Sequence, residues 1–126
     1  IDVTKIINPV THQGQIDGGI VQGVGFSLME GLEVNEGRIT NLHLGDYKIP
    51  NVQDIPRLTT SHVLANAGPG PFGTKAVAEC GISVIAPAIA NAVYNATGVR
   101  MMDAPITPEK VVNGLQRLTT ASRPSM

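Results

Sequence analysis

A short loop that ends in one carboxylate is the part of this sequence whose residue types could do chemistry. It runs from Gly73 to Ala78 and is followed by Glu79, shortly before an apolar helix predicted from Pro87. Small side chains let backbone N–H groups approach an anionic ligand closely, and the loop would then hold Glu79 at that ligand. The alternatives for Glu79 are a solvated loop carboxylate or a charge at the positive end of the following helix dipole.

The same region differs in detail from a nucleotide-binding P-loop. That motif needs a lysine directly after its second glycine and a Ser or Thr directly after the lysine. Here Thr74 precedes Lys75, and Pro69 and Pro71 lack the backbone N–H groups that phosphates would need. A P-loop is therefore not predicted.

Residues for covalent or metal chemistry are sparse. Cys80 is the only cysteine, which excludes an internal disulfide and favours a reducing, cytoplasmic environment. An iron–sulfur cluster needs about four thiolates and a structural zinc site several Cys or His, whereas this chain adds only three scattered histidines. No Ser or Cys nucleophile is paired with a histidine. The triplet Asn95-Ala96-Thr97 matches a glycosylation site, but no secretory signal accompanies it.

The composition is that of one globular domain over residues 1–126. Apolar residues make up 42%, and 9 Lys and Arg balance 10 Asp and Glu, so a nucleic-acid partner is not expected. No apolar run approaches the roughly 20 residues that cross a bilayer, so no membrane association is expected. Fourteen glycines, nine prolines and only 3% aromatic residues make the chain loop-rich. It could therefore depend on a partner surface for part of its stability.

The first helix is predicted to begin at Asp17, which can cap it. Ile20, Val24 and Leu28 then follow at helical spacing on one face. The glycines within this segment cost about 1 kcal/mol each relative to Ala. They indicate either tight packing of the helix on a sheet or the close approach of another backbone or a ligand.

The remaining elements complete an α+β pattern. Strands are predicted over 1–7, where Asn8-Pro9 marks a turn, and also over 38–44 and 57–64, with a Gly/Pro loop over 65–73. The predicted fold is a small mixed sheet with about three packed helices.

Two further helices are predicted in the last third of the chain. One runs from Pro87 to a glycine cap at Gly98. The other starts at Thr107-Pro108-Glu109 and continues through Leu115. A frayed tail is expected over 119–126.

Four blocks of the sequence, in the same order, resemble the C-terminal molybdenum-cofactor-binding part of the xanthine dehydrogenase/aldehyde oxidase family. Each block is short, but four in register are specific, and together they extend over almost the whole chain. The blocks are Ile1-Asp2-Val3 through Asn8-Pro9, Gly14-Gln15-Ile16-Asp17-Gly18-Gly19 with Val21-Gln22-Gly23, Asp46-Tyr47-Lys48-Ile49-Pro50 with Asp54-Ile55-Pro56, and Lys75-Ala76-Val77-Ala78-Glu79 with Pro87-Ala88-Ile89-Ala90-Asn91-Ala92.

The resemblance implies a function in the hydroxylation of an aldehyde, purine or N-heterocycle, with water as the oxygen source. Glu79 matches the family's general base, and Gln15 matches its cofactor-contacting glutamine, with Gln22 as a second candidate. The resemblance also implies that the loop donates backbone hydrogen bonds to the pterin-bearing molybdenum cofactor. The loop residues concerned are Thr74, Lys75, Ala76, Val77 and Ala78.

The family pattern also sets expectations about partners. Ala78 replaces the glycine that usually precedes the glutamate, and Cys80 stands where proline or a small residue is common. The resemblance implies that the rest of the molybdenum-binding subunit supplies other cofactor contacts and most of the substrate pocket. Iron–sulfur clusters and flavin are expected only on partner domains or subunits, and the cofactor takes a cytosine dinucleotide form in many bacterial relatives. The chain alone is expected to be inactive.

Two other functions remain open from the sequence. The chain could be a non-catalytic structural or assembly module of such a complex. It could also be a generic anion-binding domain that uses the 73–79 loop.

Overall fold

The computed structural model describes residues 1–64 and 68–121 and has the predicted α+β class. The helices are α1 (Pro9–Leu28), α2 (Leu44–Tyr47), α3 (Ile82–Thr97) and α4 (Pro108–Ala121). The strands are β1 (Asp2–Val3), β2 (Val34–Asn35), β3 (Arg38–Ile39) and β4 (Val63–Leu64), and a 3-10 turn covers Pro71–Gly73. No helix in these described ranges is both long enough and apolar enough to span a membrane.

Helix α1 begins earlier than the sequence predicts. Asn8 caps it, because its side-chain oxygen accepts hydrogen bonds from the backbone N–H groups of Val10 (3.1 Å) and Thr11 (3.3 Å). Pro9 takes the first helical position, where its missing N–H costs nothing. The predicted start at Asp17 is therefore wrong. The Asn-Pro pair interpreted as a turn is instead the start of the helix.

The strands are shorter than predicted and form two separate pairs. β1 and β4 are parallel, with Asp2 opposite Val63, and β2 and β3 form an antiparallel hairpin. The hairpin turn is Glu36-Gly37, and both residues have positive φ (48° and 77°). The predicted strands over 1–7, 38–44 and 57–64 are wrong in length, because most of their residues have no neighbouring strand within the described chain. The two pairings replace the predicted single mixed sheet.

Helix α3 also begins before its predicted start. It opens at Ile82, so Pro87 lies inside the helix and leaves the carbonyl oxygen of Ser83 without its usual helical donor. Its end is as predicted, because Gly98 adopts φ 74° and donates its N–H to the carbonyl oxygen of Tyr94 (2.8 Å).

The start of helix α4 at Pro108 is as predicted, with Thr107 before it. The Thr107 hydroxyl accepts a hydrogen bond from the backbone N–H of Lys110 at 3.4 Å. Residues 119–121 are helical rather than frayed. The rest of the predicted tail, 122–126, and part of the predicted loop, 65–67, lie outside the described residues.

The core of the described chain is small. α1 packs on α3, and the α1 end meets the segment before α4, where the N–H of Ile106 donates to the carbonyl oxygen of Ser27 (2.6 Å). Large apolar side chains remain exposed, among them Phe72 at 86% and Met102 at 84%. The buried apolar side chains of the described residues are Val3, Ile16, Val24, Val99 and Ile106. This imbalance agrees with the expectation that a partner surface contributes to stability.

Candidate functional site

The loop that precedes Glu79 is held first by an ion pair. Nζ of Lys75 lies 2.8 Å from Oδ2 of Asp2 on β1, and both side chains are partly exposed. Just upstream, the N–H of Gly68 donates to the carbonyl oxygen of Gly73 at 2.7 Å, which closes the turn over Pro71–Gly73. The loop therefore leaves a closed turn and is attached to β1 through Lys75.

The far end of the loop rests on helix α1. A Cβ built on Gly19 would lie 3.4 Å from the carbonyl oxygen of Ala78 and 3.8 Å from Cα of Gly81. In the opposite direction, a Cβ on Gly81 would lie 3.5 Å from the carbonyl carbon of Gly19 and from the backbone nitrogen of Ile20. Both glycines are buried. Two backbones are therefore in contact on either side of Glu79, as the glycine-rich pattern of α1 indicated.

The turn into α3 fixes the backbone at Glu79 itself. The N–H of Ile82 donates to the carbonyl oxygen of Glu79 at 3.3 Å, and the Cys80 thiol lies 3.5 Å from the carbonyl oxygen of Ala76. The carboxylate of Glu79 is exposed and makes no hydrogen bond or ion pair with any described residue. Its backbone is thus held while its side chain is available to a ligand.

The backbone donors of the loop are also available. Within 1–64 and 68–121, the N–H groups of Lys75, Ala76, Val77 and Ala78 have no acceptor. Thr74 differs, because its N–H and its hydroxyl both donate to the carbonyl oxygen of Pro71 (3.2 and 2.9 Å). Consecutive free donors beside small side chains suit an acceptor-rich or anionic ligand.

The glutamines of α1 fall into two groups. Gln13 is engaged, because its amide nitrogen donates to Asp17 Oδ1 (2.8 Å) and to the Thr60 hydroxyl (2.7 Å). Gln15 and Gln22 are exposed and bond to no described residue. Gln15 is one helical turn before Gly19, and residues four apart share a helix face. The structure therefore places Gln15 next to the α1 position that contacts the Glu79 loop.

A cleft of about 290 Å³ lies beside the loop end, between α1, α3 and the segment before β4. Cys80 and Gly81 lie on its wall, whereas Glu79 is outside it. Its other lining residues are Ile1, Ile16, Ile20, Thr59, Thr60, Ser61, Val84 and Ile85. The described chain therefore builds an apolar surface next to Glu79 but no enclosed pocket around its carboxylate.

Tyr47, in α2, interacts with the Glu30 carboxylate. A hydrogen bond to the Glu30 carboxylate raises the pKa of the Tyr47 phenol, with smaller contributions from burial and from the Glu30 charge. No group of three or more His, Cys, Asp or Glu residues is placed to hold a metal ion in the described ranges.

Asp2, Gly19 and Gly81 are the site-forming residues that sequence reasoning missed. The glycine run of α1 was a signal for Gly19, because it indicated the close approach of another backbone. Asp2 had no such signal, because an aspartate in a predicted strand does not reveal a partner so far along the chain.

Comparison with known proteins gives consistent matches. The family model described as molybdopterin cofactor-binding domain matches residues 1–56. The chain is 39% identical over 115 residues to the aldehyde oxidoreductase molybdenum-binding subunit PaoC of Escherichia coli (strain K12), covering 88% of this chain and 16% of that subunit. It is 37% identical over 112 residues to the xanthine dehydrogenase molybdenum-binding subunit of Escherichia coli O157:H7, covering 87% of this chain and 15% of that subunit.

A solved structure shares the fold over nearly the whole chain. Quinoline 2-oxidoreductase from Pseudomonas putida 86 superposes with a TM-score of 0.83 at 31% identity, covering 98% of this chain and 16% of that one. The described elements therefore have the arrangement of a section of a much longer protein.

Proposed function

We propose that this chain is one section of a molybdenum hydroxylase, because it is similar to the molybdenum-binding subunits of a xanthine dehydrogenase and an aldehyde oxidoreductase. The proposed reaction is hydroxylation of an aldehyde, purine or N-heterocycle with water as the oxygen source. The observation that carries the proposal is the Gly19–Ala78 contact, which joins the helix of Gln15 to the loop of Glu79. Both of these polar side chains are exposed and unbonded within the described chain.

The residues present fit a pterin-bearing molybdenum cofactor. Such a cofactor is rich in hydrogen-bond acceptors, and the loop offers the free N–H groups of residues 75–78. Gln15 adds an amide that can both donate and accept. Thr74 would contribute mainly by shaping the turn, because its own donors are already used.

The chemistry divides between the cofactor and this chain. The bound molybdenum centre would supply the oxidising power that accepts two electrons from the substrate. Glu79 is proposed to take a proton from the oxygen nucleophile as general base. The Lys75 ammonium is paired with Asp2 and not with the Glu79 carboxylate.

The parts that this chain lacks are assigned to the remainder of the assembly. The exposure of Glu79 supports a pocket whose other walls come from the rest of the subunit. Iron–sulfur clusters, and flavin in some assemblies, are proposed on partner domains or subunits that carry electrons away. A cytosine dinucleotide form of the cofactor and a cytoplasmic location are part of the same proposal, and the free thiol of Cys80 agrees with that location.

A non-catalytic assembly module is the second candidate. The small core and the many exposed apolar side chains support this candidate as well as they support the hydroxylase, because a module would also be covered by a partner. Native mass spectrometry of the protein purified gently from its own host distinguishes the two. We expect a complex that contains further chain and the mass of molybdenum and pterin. A complex without that cofactor would support the module, and a bare 13.2 kDa species or its multiples would contradict the hydroxylase.

A further inference from the structure

We infer that Gly19 is a positioning residue for Glu79: the absence of a side chain at Gly19 sets how closely the Ala78–Glu79 backbone lies against α1. The inference rests on the proposed function, because it assigns Gly19 a purpose only if Glu79 acts on a ligand. Gly19 itself would touch neither the cofactor nor the substrate.

The first step is the contact itself. Gly19 is buried, and the nearest atom outside α1 to a Cβ built on it is the carbonyl oxygen of Ala78, the residue directly before Glu79. An alanine Cβ would reach this oxygen at 3.4 Å, which is an ordinary van der Waals distance. Any longer side chain would have to occupy the space of the Ala78 peptide and push the loop away from the helix.

The second step is that the loop cannot easily yield elsewhere. Lys75 is paired with Asp2 upstream, and Ile82 holds the carbonyl oxygen of Glu79 downstream. Gly81 touches the Gly19–Ile20 peptide from the other side, so the backbone bordering Glu79 meets α1 twice. A displacement at Gly19 would therefore be passed to Glu79 rather than absorbed by a free end.

The third step concerns Gln15. It lies one turn from Gly19 on the same helix, so the Gly19 contact sets the spacing between the proposed cofactor contact and the proposed base. A misplacement of about 1 Å in a catalytic group can cost about 10²-fold in rate. The expected defect is therefore in kcat, with cofactor binding through Gln15 and the loop retained.

The test uses the complete holo-complex and a matched pair of neighbouring glycines. Gly18 is exposed, and a Cβ on it would meet nothing within 4 Å, so Gly18→Ala and Gly18→Val control for helix propensity and side-chain type. We expect Gly19→Val to lower kcat roughly 10²-fold, because its longer side chain displaces the loop, and Gly19→Ala to match Gly18→Ala, with molybdenum content and KM near those of the Gly18 variants.

Equal kcat in Gly19→Val and Gly18→Val would overturn the inference. So would a Gly19 defect that appears only as lost molybdenum, because that result indicates a purely structural role. If Gly19→Val does not assemble, Gly19→Ser is compared with Gly18→Ser, because serine extends one atom beyond the alanine Cβ. Glu79→Gln is measured in parallel. A fully active Glu79→Gln complex overturns the proposed role of Glu79 as base. An inactive Glu79→Gln complex together with normal kcat in the Gly19 variants overturns only the positioning role of Gly19.

Discussion

Lys75 and Asp2 lie 73 positions apart in the sequence, yet the Lys75 ammonium is 2.8 Å from the Asp2 carboxylate. The pair joins the loop before Glu79 to strand β1, which itself pairs with β4. Because β1 is so short, this single ion pair is a notable part of what attaches the loop to the start of the chain.

Replacing Asp2 with Asn should loosen the loop without unfolding the protein. The pair is partly exposed, so its contribution to stability is expected to be about 0–1 kcal/mol and smaller at high salt. We expect faster proteolysis or amide exchange over the loop in Asp2→Asn, and recovery in the charge swap Asp2→Lys with Lys75→Asp. Lys5→Gln, at an exposed lysine without a described partner, is the control. No recovery in the swap would show that the pair does not hold the loop.

Glu79→Gln should abolish most turnover of the assembled enzyme while leaving the cofactor bound. The substitution keeps the shape of the side chain and removes its basicity, and a general base typically contributes about 10²–10⁴-fold. The measurements are kcat and molybdenum content of the purified complex. Glu36→Gln, in the exposed hairpin turn, is the matched control and should be indistinguishable from the unmodified protein. Near-normal kcat in Glu79→Gln would remove this residue from the mechanism.

The free N–H groups of Lys75, Ala76, Val77 and Ala78 predict a cofactor-dependent pattern of amide exchange. Stripping the cofactor should speed exchange at these four amides, because nothing else in the described chain accepts from them. Thr40 is an internal reference, since its N–H already donates to the carbonyl oxygen of Glu33 at 3.0 Å. Exchange over 75–78 that is identical with and without cofactor would contradict the proposed contacts.

Gly23→Ala should destabilise the packing of α1 on α3. The new Cβ would lie 2.7 Å from Cβ of Ile85, which is too close for two carbon atoms of different residues, so one helix must shift. Overpacking of this kind typically costs about 1–3 kcal/mol. Gly18→Ala should instead leave the melting temperature unchanged or raise it, because alanine favours the helix by up to about 1 kcal/mol. Thermal unfolding of the assembled protein compares the two, and shifts of the same sign would contradict the packing.

The helices of this fold are better predicted from the sequence than the strands. Local signals suffice at Gly98 and Thr107, where a cap and its helix are neighbours in the chain. They mislead at Asn8-Pro9, because the same pair is a turn signal and an N-cap followed by a first-turn proline. They also fail at Pro87, whose preference for a first helical position is overridden when the helix extends back to Ile82.

The strand predictions fail for a different reason. The alternating pattern over 57–64 predicts a strand, but a strand forms only where a neighbour supplies its hydrogen bonds, and β1 is two residues long. The site residues Gln15 and Glu79 were predicted from motifs alone, and their assignment remains a prediction. What no local pattern could show is the link between them through Gly19, because it depends on how a loop packs against a distant helix.

The exposed apolar surface makes the folded segment prone to two competing associations, assembly and aggregation. Side chains such as Phe72 and Met102 are uncovered in the described fold, so a freshly made copy meets two competing surfaces: the remainder of its own assembly and other identical copies. The first encounter buries these side chains productively, and the second leads to aggregates. The yield of functional protein would then depend on which encounter comes first.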